Sequence, residues 1–327
     1  MGTRNASPSA FGWDFQINAA IFLMIENIKD ADKVRVEGED EDIEIYLKDK
    51  TKIYSQAKSV VKPDDYSNVN EKLSAALETL NLAAQNEDGI LFTYVTNSSN
   101  PFNNIKTLQY FQDVTHLKFS ELPALAQKKI TEIIRKNGYT SLDTSRLDIR
   151  VIPFYGDDPK NRFKHIQRSV DDFLETLEIS SQGIGTKILE IWQKDFFHNA
   201  TQIDTAITID KDEMIWPLIV LVIEKVAADE YKKEYDEEEI EEFNQKYKLI
   251  INSYTLRYDF VTKIITDYIK SGLKKKQFID NCWDNYVDVI TSDNMDKNEK
   301  ETLIKIIIYK IITKREYINN IKKGVNL

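Results

Sequence analysis

Apolar and polar positions along the chain fall into two regimes. Up to about residue 165, short runs of strand period alternate with helical stretches, and from about Phe163 onward nearly every apolar position recurs at helical spacing. The sharpest pattern lies between Val34 and Ser59. Ile43, Ile45 and Leu47 point one way and Asp42, Glu44 and Tyr46 the other, the period of a strand with one buried face. A polar segment, Lys48 to Thr51, breaks the run before Lys52 to Ser59 resumes it, with Gln56 and Lys58 two apart and so on one face. A three-residue loop of Asp49, Lys50 and Thr51 pairs Lys48 with Lys52, sets Asp42 opposite Lys58 and turns Glu44 towards Gln56. A carboxylate, an amide oxygen and an ammonium then converge on one side of a hairpin.

The neighbouring stretches frame this hairpin. Asp14 to Ile28 carries Phe15, Ala19, Phe22, Leu23 and Ile25 at helical spacing, with Gln16 in its first turn, facing either the hairpin or solvent. Asn70 to Ala84 is a second helix, ended by Asn86-Glu87-Asp88-Gly89. Ile90 to Thr96 reads as a strand buried on both faces, followed by a turn at Asn97 to Pro101. Leu122 to Asn137 is a helix bearing Lys128, Lys129, Arg135 and Lys136, and Leu147 to Phe154 is the last strand of the first domain. Helices are then expected over Ser169–Leu177, Gly185–Phe197, Lys211–Asp229, Glu237–Ile251, Leu256–Ser271, Lys275–Ile290 and Lys297–Lys322. The Ile304 to Ile312 stripe in the last of these is wide enough to demand burial, first as core and second as an interface. Asp229 to Phe243 is strongly acidic, a solvated helical face or an arm for a basic partner.

Composition narrows the classes. The single cysteine, Cys282, excludes an internal disulfide and fits a reducing cytoplasm; no apolar run is long enough to span a bilayer. His116, His165 and His198 have no ligand spacing to each other or to Cys282, and the chain has no P-loop. A net charge of −10 argues against a free-standing DNA binder and for a partner that supplies charge or holds the substrate.

The hairpin carries the clearest chemistry. A hard cation such as Mg²⁺ takes oxygen ligands: Asp42 offers a charged one, Gln56 a neutral one and the Ala57 backbone carbonyl a third. Lys58 can orient a water and offset charge gathering on phosphorus. The spacing D-x13-Q-x-K resembles the PD-(D/E)xK, or restriction-endonuclease-like, superfamily in its Gln-for-Glu form. Further stretches narrow the likeness: Gly12-Trp13-Asp14-Phe15-Gln16, Glu37-Gly38, Asp42-Ile43, Gln56-Ala57-Lys58-Ser59 and Phe92-Thr93-Tyr94-Val95-Thr96-Asn97. In that order they resemble the double-stranded-DNA endonuclease domain of the SAVED-domain effectors of CBASS and of the nuclease subunit of Lamassu anti-phage systems.

The resemblance covers roughly the first half of the chain. It implies an α/β restriction-endonuclease-like domain over residues 10–165, a mixed sheet flanked by helices, followed by an all-α domain over residues 166–327 for partner binding or oligomerisation. It implies a cytoplasmic, Mg²⁺- or Mn²⁺-dependent endonuclease acting on double-stranded DNA. Asp42 and Gln56 would hold the metal with the Ala57 carbonyl, Lys58 would serve the transition state, and Glu37 is a further candidate ligand. The helical remainder is short for a nucleotide-sensing SAVED module, which favours the Lamassu type, working beside an SMC-like ATPase and a small accessory subunit and active as a homo-oligomer. A CBASS-type effector and a catalytically silent scaffold that recruits partners are the alternatives.

Overall fold

The alternating stretch forms a three-stranded meander in the computed structural model, which describes residues 7–228, 241–242, 245–247, 251, 257–289 and 295–327. β1 (Ala31–Val36), β2 (Ile43–Leu47) and β3 (Lys52–Lys58) pair antiparallel in sequence. β3 then pairs in parallel with β4 (Gly89–Thr96), and β4 in parallel with β6 (Leu147–Val151). Two short antiparallel strands finish the edges: β5 (Thr115–Lys118) on β6 and β7 (Ile209–Asp210) on β1. The sheet is therefore mixed and seven-stranded, in the order β5-β6-β4-β3-β2-β1-β7.

Parallel neighbours cannot be joined by a tight turn, so each pair needs a crossover. The first contains α2 (Val69–Ala83) and the second α3 (Ala124–Asn137). Leu73, Ala76, Leu77 and Leu80 of α2, with Ala126 and Ile130 of α3, pack on Tyr54, Phe92, Tyr94, Leu147, Ile149 and Val151, all on one sheet face. The opposite face meets α1 (Ser7–Glu26), which begins seven residues earlier than its apolar spacing suggests. α1 is buried continuously from Phe15 to Ile25 because the sheet covers one side and α5 (Gly185–Ala200), which follows α4 (Lys164–Thr176), the other. This unit runs to Glu175 and takes in Gly185–Lys211, past the boundary expected at residue 165. Arg35 of β1 explains the extension: its buried guanidinium donates to the carbonyls of Glu37 (3.1 Å), Asn199 (2.6 Å), Gln202 (2.9 Å) and Ile207 (3.0 Å). That clamp carries the chain from α5 into β7.

A second unit contains Thr176–Ile184, which is turns and irregular backbone past Thr176, and Asp212–Val325, whose described elements are helices. Its helices include Lys211–Glu224, Arg257–Ser271, Lys275–Cys282, Lys297–Thr313 and Arg315–Val325. The helix expected to Ile290 gives way at Trp283 to a 3-10 segment, and the one expected to Lys322 is two helices that meet at Lys314. Ile304, Ile307, Ile308, Ile311 and Ile312 are each fully buried, so the stripe is core and leaves no apolar face for a partner. The acidic segment Asp229 to Phe243 and most of the helix expected over Glu237 to Ile251 lie outside the described residues. Among the described residues no helix is long and apolar enough to cross a membrane.

The β2–β3 hairpin departs from its expected register. Its loop is Lys48-Asp49-Lys50: Leu47 N–H donates to Thr51 O (2.8 Å) and Lys50 N–H to Leu47 O (2.9 Å), with Lys50 in the left-handed region at φ 73°. The Asp49 carboxylate fixes this turn by accepting from the Thr51 N–H (3.0 Å) and hydroxyl (2.5 Å). Tyr46 thus pairs with Lys52, Glu44 with Tyr54 and Ile43 with Ser55. Asp42 consequently lies across from Gln56 rather than Lys58, and Glu44 faces Tyr54 rather than Gln56. Partners shift by two, which preserves the faces. A left-handed lysine is strained where glycine is not, so Lys50→Gly is expected to raise stability by about 0.5–1 kcal/mol. Urea denaturation at constant slope checks this; a comparable loss would place the left-handed residue elsewhere.

Candidate active site

The site forms where β2 leaves the ladder. The β1–β2 connection closes on itself through Glu37 N–H to Asp42 O (2.8 Å) and Gly38 N–H to Glu41 O (2.9 Å), with Glu37 at φ 54°. Gln16, buried in the middle of α1 and not in its first turn, donates its amide to the same Asp42 carbonyl (3.0 Å). With its backbone held from two sides, Asp42 directs its side chain towards β3. Asp42 Oδ2 accepts from the Ala57 N–H (3.0 Å) and the Gln56 amide nitrogen, and Lys58 Nζ stands 3.8 Å away. The side chain thus takes an N–H that a longer β2 would have bonded through its backbone.

Each predicted residue can now be placed. Asp42, Gln56 and Lys58 come together, with Asp42 and Lys58 part-exposed and Gln56 almost fully buried. A strand residue carries its N–H and C=O on the same edge, so the Ala57 carbonyl lies on the Asp42 side. Glu37 is half-buried, and its charge pushes against Asp42. Glu44 is not part of the group. Its carboxylate folds back to accept from the Asp40 N–H (2.9 Å) and the Tyr46 hydroxyl (2.8 Å), and it fills the space beside Gly38, where a Cβ would lie 2.2 Å from Glu44 Oε1.

Three contributors are absent from the sequence reading. Thr79 of α2 donates to Gln56 Oε1 (2.6 Å) and so fixes the amide. Lys72, also of α2, donates to the Ser59 carbonyl just beyond Lys58, and burial lowers its pKa. Glu41 is buried at 4 % exposure, and neither carboxylate oxygen has a hydrogen-bond partner. Thr79 is near it, yet the hydroxyl proton is directed to Gln56. No residue spacing marks Glu41, because strand alternation at this point would have turned it away from Asp42.

Electrostatics set the character of the site. Burial pushes the Asp42 carboxyl up to about 6 despite the opposing effects of Lys58 and the Ala57 N–H. Burial, reinforced by the charge on Asp42, pushes Glu41 up to about 8. Two carboxyl groups that resist ionisation therefore share a poorly solvated space with one nearby ammonium. Among the described residues no three His, Cys, Asp or Glu side chains gather as a metal cluster. The oxygen set is mixed: Asp42, the Gln56 amide, the Ala57 carbonyl and the unpartnered Glu41, all hard donors of the kind Mg²⁺ accepts. The Gln56 oxygen can face this set if the amide turns over, because Thr79 can then accept from the amide nitrogen while giving its proton to Ala76 O (3.2 Å).

Comparison with protein-family models, with curated proteins and with solved structures finds no match to this chain. The geometry alone therefore carries the site.

Thr79→Val, which keeps shape but removes the donor, is expected to cost about 1–2 kcal/mol by leaving the buried Gln56 oxygen unpaired. Thermal and urea unfolding measure it; an unchanged midpoint would mean the amide is not held by Thr79.

Proposed function

We propose that the chain is a metal-dependent DNA endonuclease of the restriction-endonuclease-like kind. The convergence of Asp42, Gln56, Ala57 and Lys58 on one edge of β3 is the observation that carries this reading. The mixed sheet flanked by helices, with two parallel strand pairs beside the hairpin, supports it at the level of architecture.

Asp42, Gln56 and the Ala57 carbonyl would hold Mg²⁺ or Mn²⁺. A divalent ion bound there polarises a phosphoryl oxygen and makes a bound water nucleophilic near neutral pH. Lys58, with donors only, orients the attacking water and offsets the negative charge that grows on the phosphate oxygens. Gln16 and the closed β1–β2 connection hold the Asp42 backbone, so that the carboxylate need not be ordered as the reaction proceeds. Lys72, fixed at Ser59, adds a second positive charge on the approach to Lys58.

The order of motifs resembling CBASS and Lamassu nucleases supports a place in anti-phage defence within the cytoplasm, and the helical unit is the part available to an SMC-like ATPase and a small accessory subunit. The acidity of the chain supports control by such partners, since an anionic surface opposes DNA. One hydrolytic centre cuts one strand at a time, so a double-strand break is most simply made by two copies facing a duplex.

Supercoiled plasmid with Mg²⁺ or Mn²⁺ tests the reading. Chelation, Asp42→Ala and Lys58→Ala are each expected to abolish cleavage in folded protein, Gln56→Ala to weaken it less, and Gln56→Glu to be tolerated. Full cleavage by folded Lys58→Ala protein would refute the assignment. The ratio of linear to nicked product is expected to rise with protein concentration; a ratio that holds constant on dilution would make the single copy the active unit.

A further inference from the structure

Glu41 occupies a place that the hydrolytic reading above does not use. Among the described residues, the other buried side-chain atoms without partners are the hydroxyls of Ser55 and Tyr247, both neutral. A buried carboxylate with no donor is far more costly than a buried hydroxyl, and proteins resolve that cost by pairing the charge or giving it to a metal. No donor reaches the Glu41 carboxylate at hydrogen-bonding geometry, although the Thr79 hydroxyl and the Asp42 N–H lie near it. Thr79 gives its proton to Gln56 Oε1, and the Lys58 ammonium stands at Asp42. The backbone nonetheless holds Glu41 in place, because its carbonyl accepts from Gly38 N–H and closes the connection that also orients Asp42. Ionised together, Glu41 and Asp42 would set two negative charges against the one positive charge of Lys58, a state that burial opposes and that a single divalent cation would turn into the net positive charge a phosphodiester requires.

We propose that Glu41 is a second acidic ligand of the centre and that the Glu41–Asp42 pair sets its demand for a divalent cation. The proposal rests on the hydrolytic reading and adds to it a residue outside the D-x13-Q-x-K pattern. Glu41 is then a metal ligand supplied by the loop before β2, not by a strand or by α1.

The test uses the full chain and Mn²⁺ alone, without DNA, read by calorimetric titration and by the change in melting temperature. Wild type is expected to bind Mn²⁺ and melt higher with it. Glu41→Gln keeps the shape and removes the ionisable group that burial disfavours, so without metal it should melt at or above wild type. Its Mn²⁺ affinity should fall by about tenfold or more, with most of the melting gain lost. Asp42→Asn should also lose the gain. Glu41→Gln binding Mn²⁺ as wild type does, while Asp42→Asn does not, would overturn the role of Glu41 and leave the centre standing. A metal-free Glu41→Gln protein melting well below wild type would overturn it too, by showing that the carboxylate has a structural partner. Wild type that neither binds nor is stabilised by Mn²⁺ would overturn the hydrolytic reading itself.

Discussion

The site depends on the way β2 ends. A strand that stops pairing leaves its neighbour's N–H groups without backbone partners, and here the Asp42 side chain takes the one at Ala57. That single contact does three things. It completes the edge of β3, places a carboxylate beside Gln56 and Lys58, and draws the chain into the short connection that buries Glu41. Gln16 and the Glu37 N–H, both donating to the Asp42 carbonyl, keep the arrangement from relaxing back into the ladder. The same constraint explains the cost. Burial near Lys58 alone leaves Asp42 and Glu41 harder to ionise than free carboxyls, a condition suited to a group that works with a cation rather than with water.

The parts legible in the sequence were those governed by strand period. Alternation puts Gln56 and Lys58 on one face, and Asp42 shares it in any register that differs by an even number of residues; the register seen differs by two from the one the spacing suggests, so that face is kept. The register itself was not legible, because it turns on Lys50 accepting a left-handed backbone that would normally favour glycine or asparagine, with Asp49 stabilising the turn. Glu44 was misplaced for the same reason, and its fate was settled by contacts to Asp40 and Tyr46 that depend on how the preceding loop folds. Thr79 and Lys72 reach the site from α2 across a crossover, and no local spacing links them to β3.

At the level of architecture, long elements with strong periodicity were legible and short ones were not. β5 and β7 are only four and two residues long and carry no alternating signal of their own. β7 exists because Arg35 gathers the carbonyls of Asn199, Gln202 and Ile207, a long-range clamp that also moves the limit of the first unit well past residue 165. The isoleucine stripe shows the opposite case: its width correctly demanded burial, and the helical unit buries all of it. Assembly is then favoured by charge and by the one-strand reach of a single centre, not by the isoleucine stripe.

The central claim, that a divalent cation sits between the β1–β2 connection and the end of β3, can be read directly on the chain. Fe²⁺ substituted for Mg²⁺, with ascorbate and peroxide, breaks the polypeptide where the metal lies, and mass spectrometry locates the breaks. The account predicts cuts around Glu41–Asp42 and Gln56–Lys58, suppressed by excess Mg²⁺. Cuts confined to other parts of the chain, with none at these two segments while the protein binds metal, would contradict it.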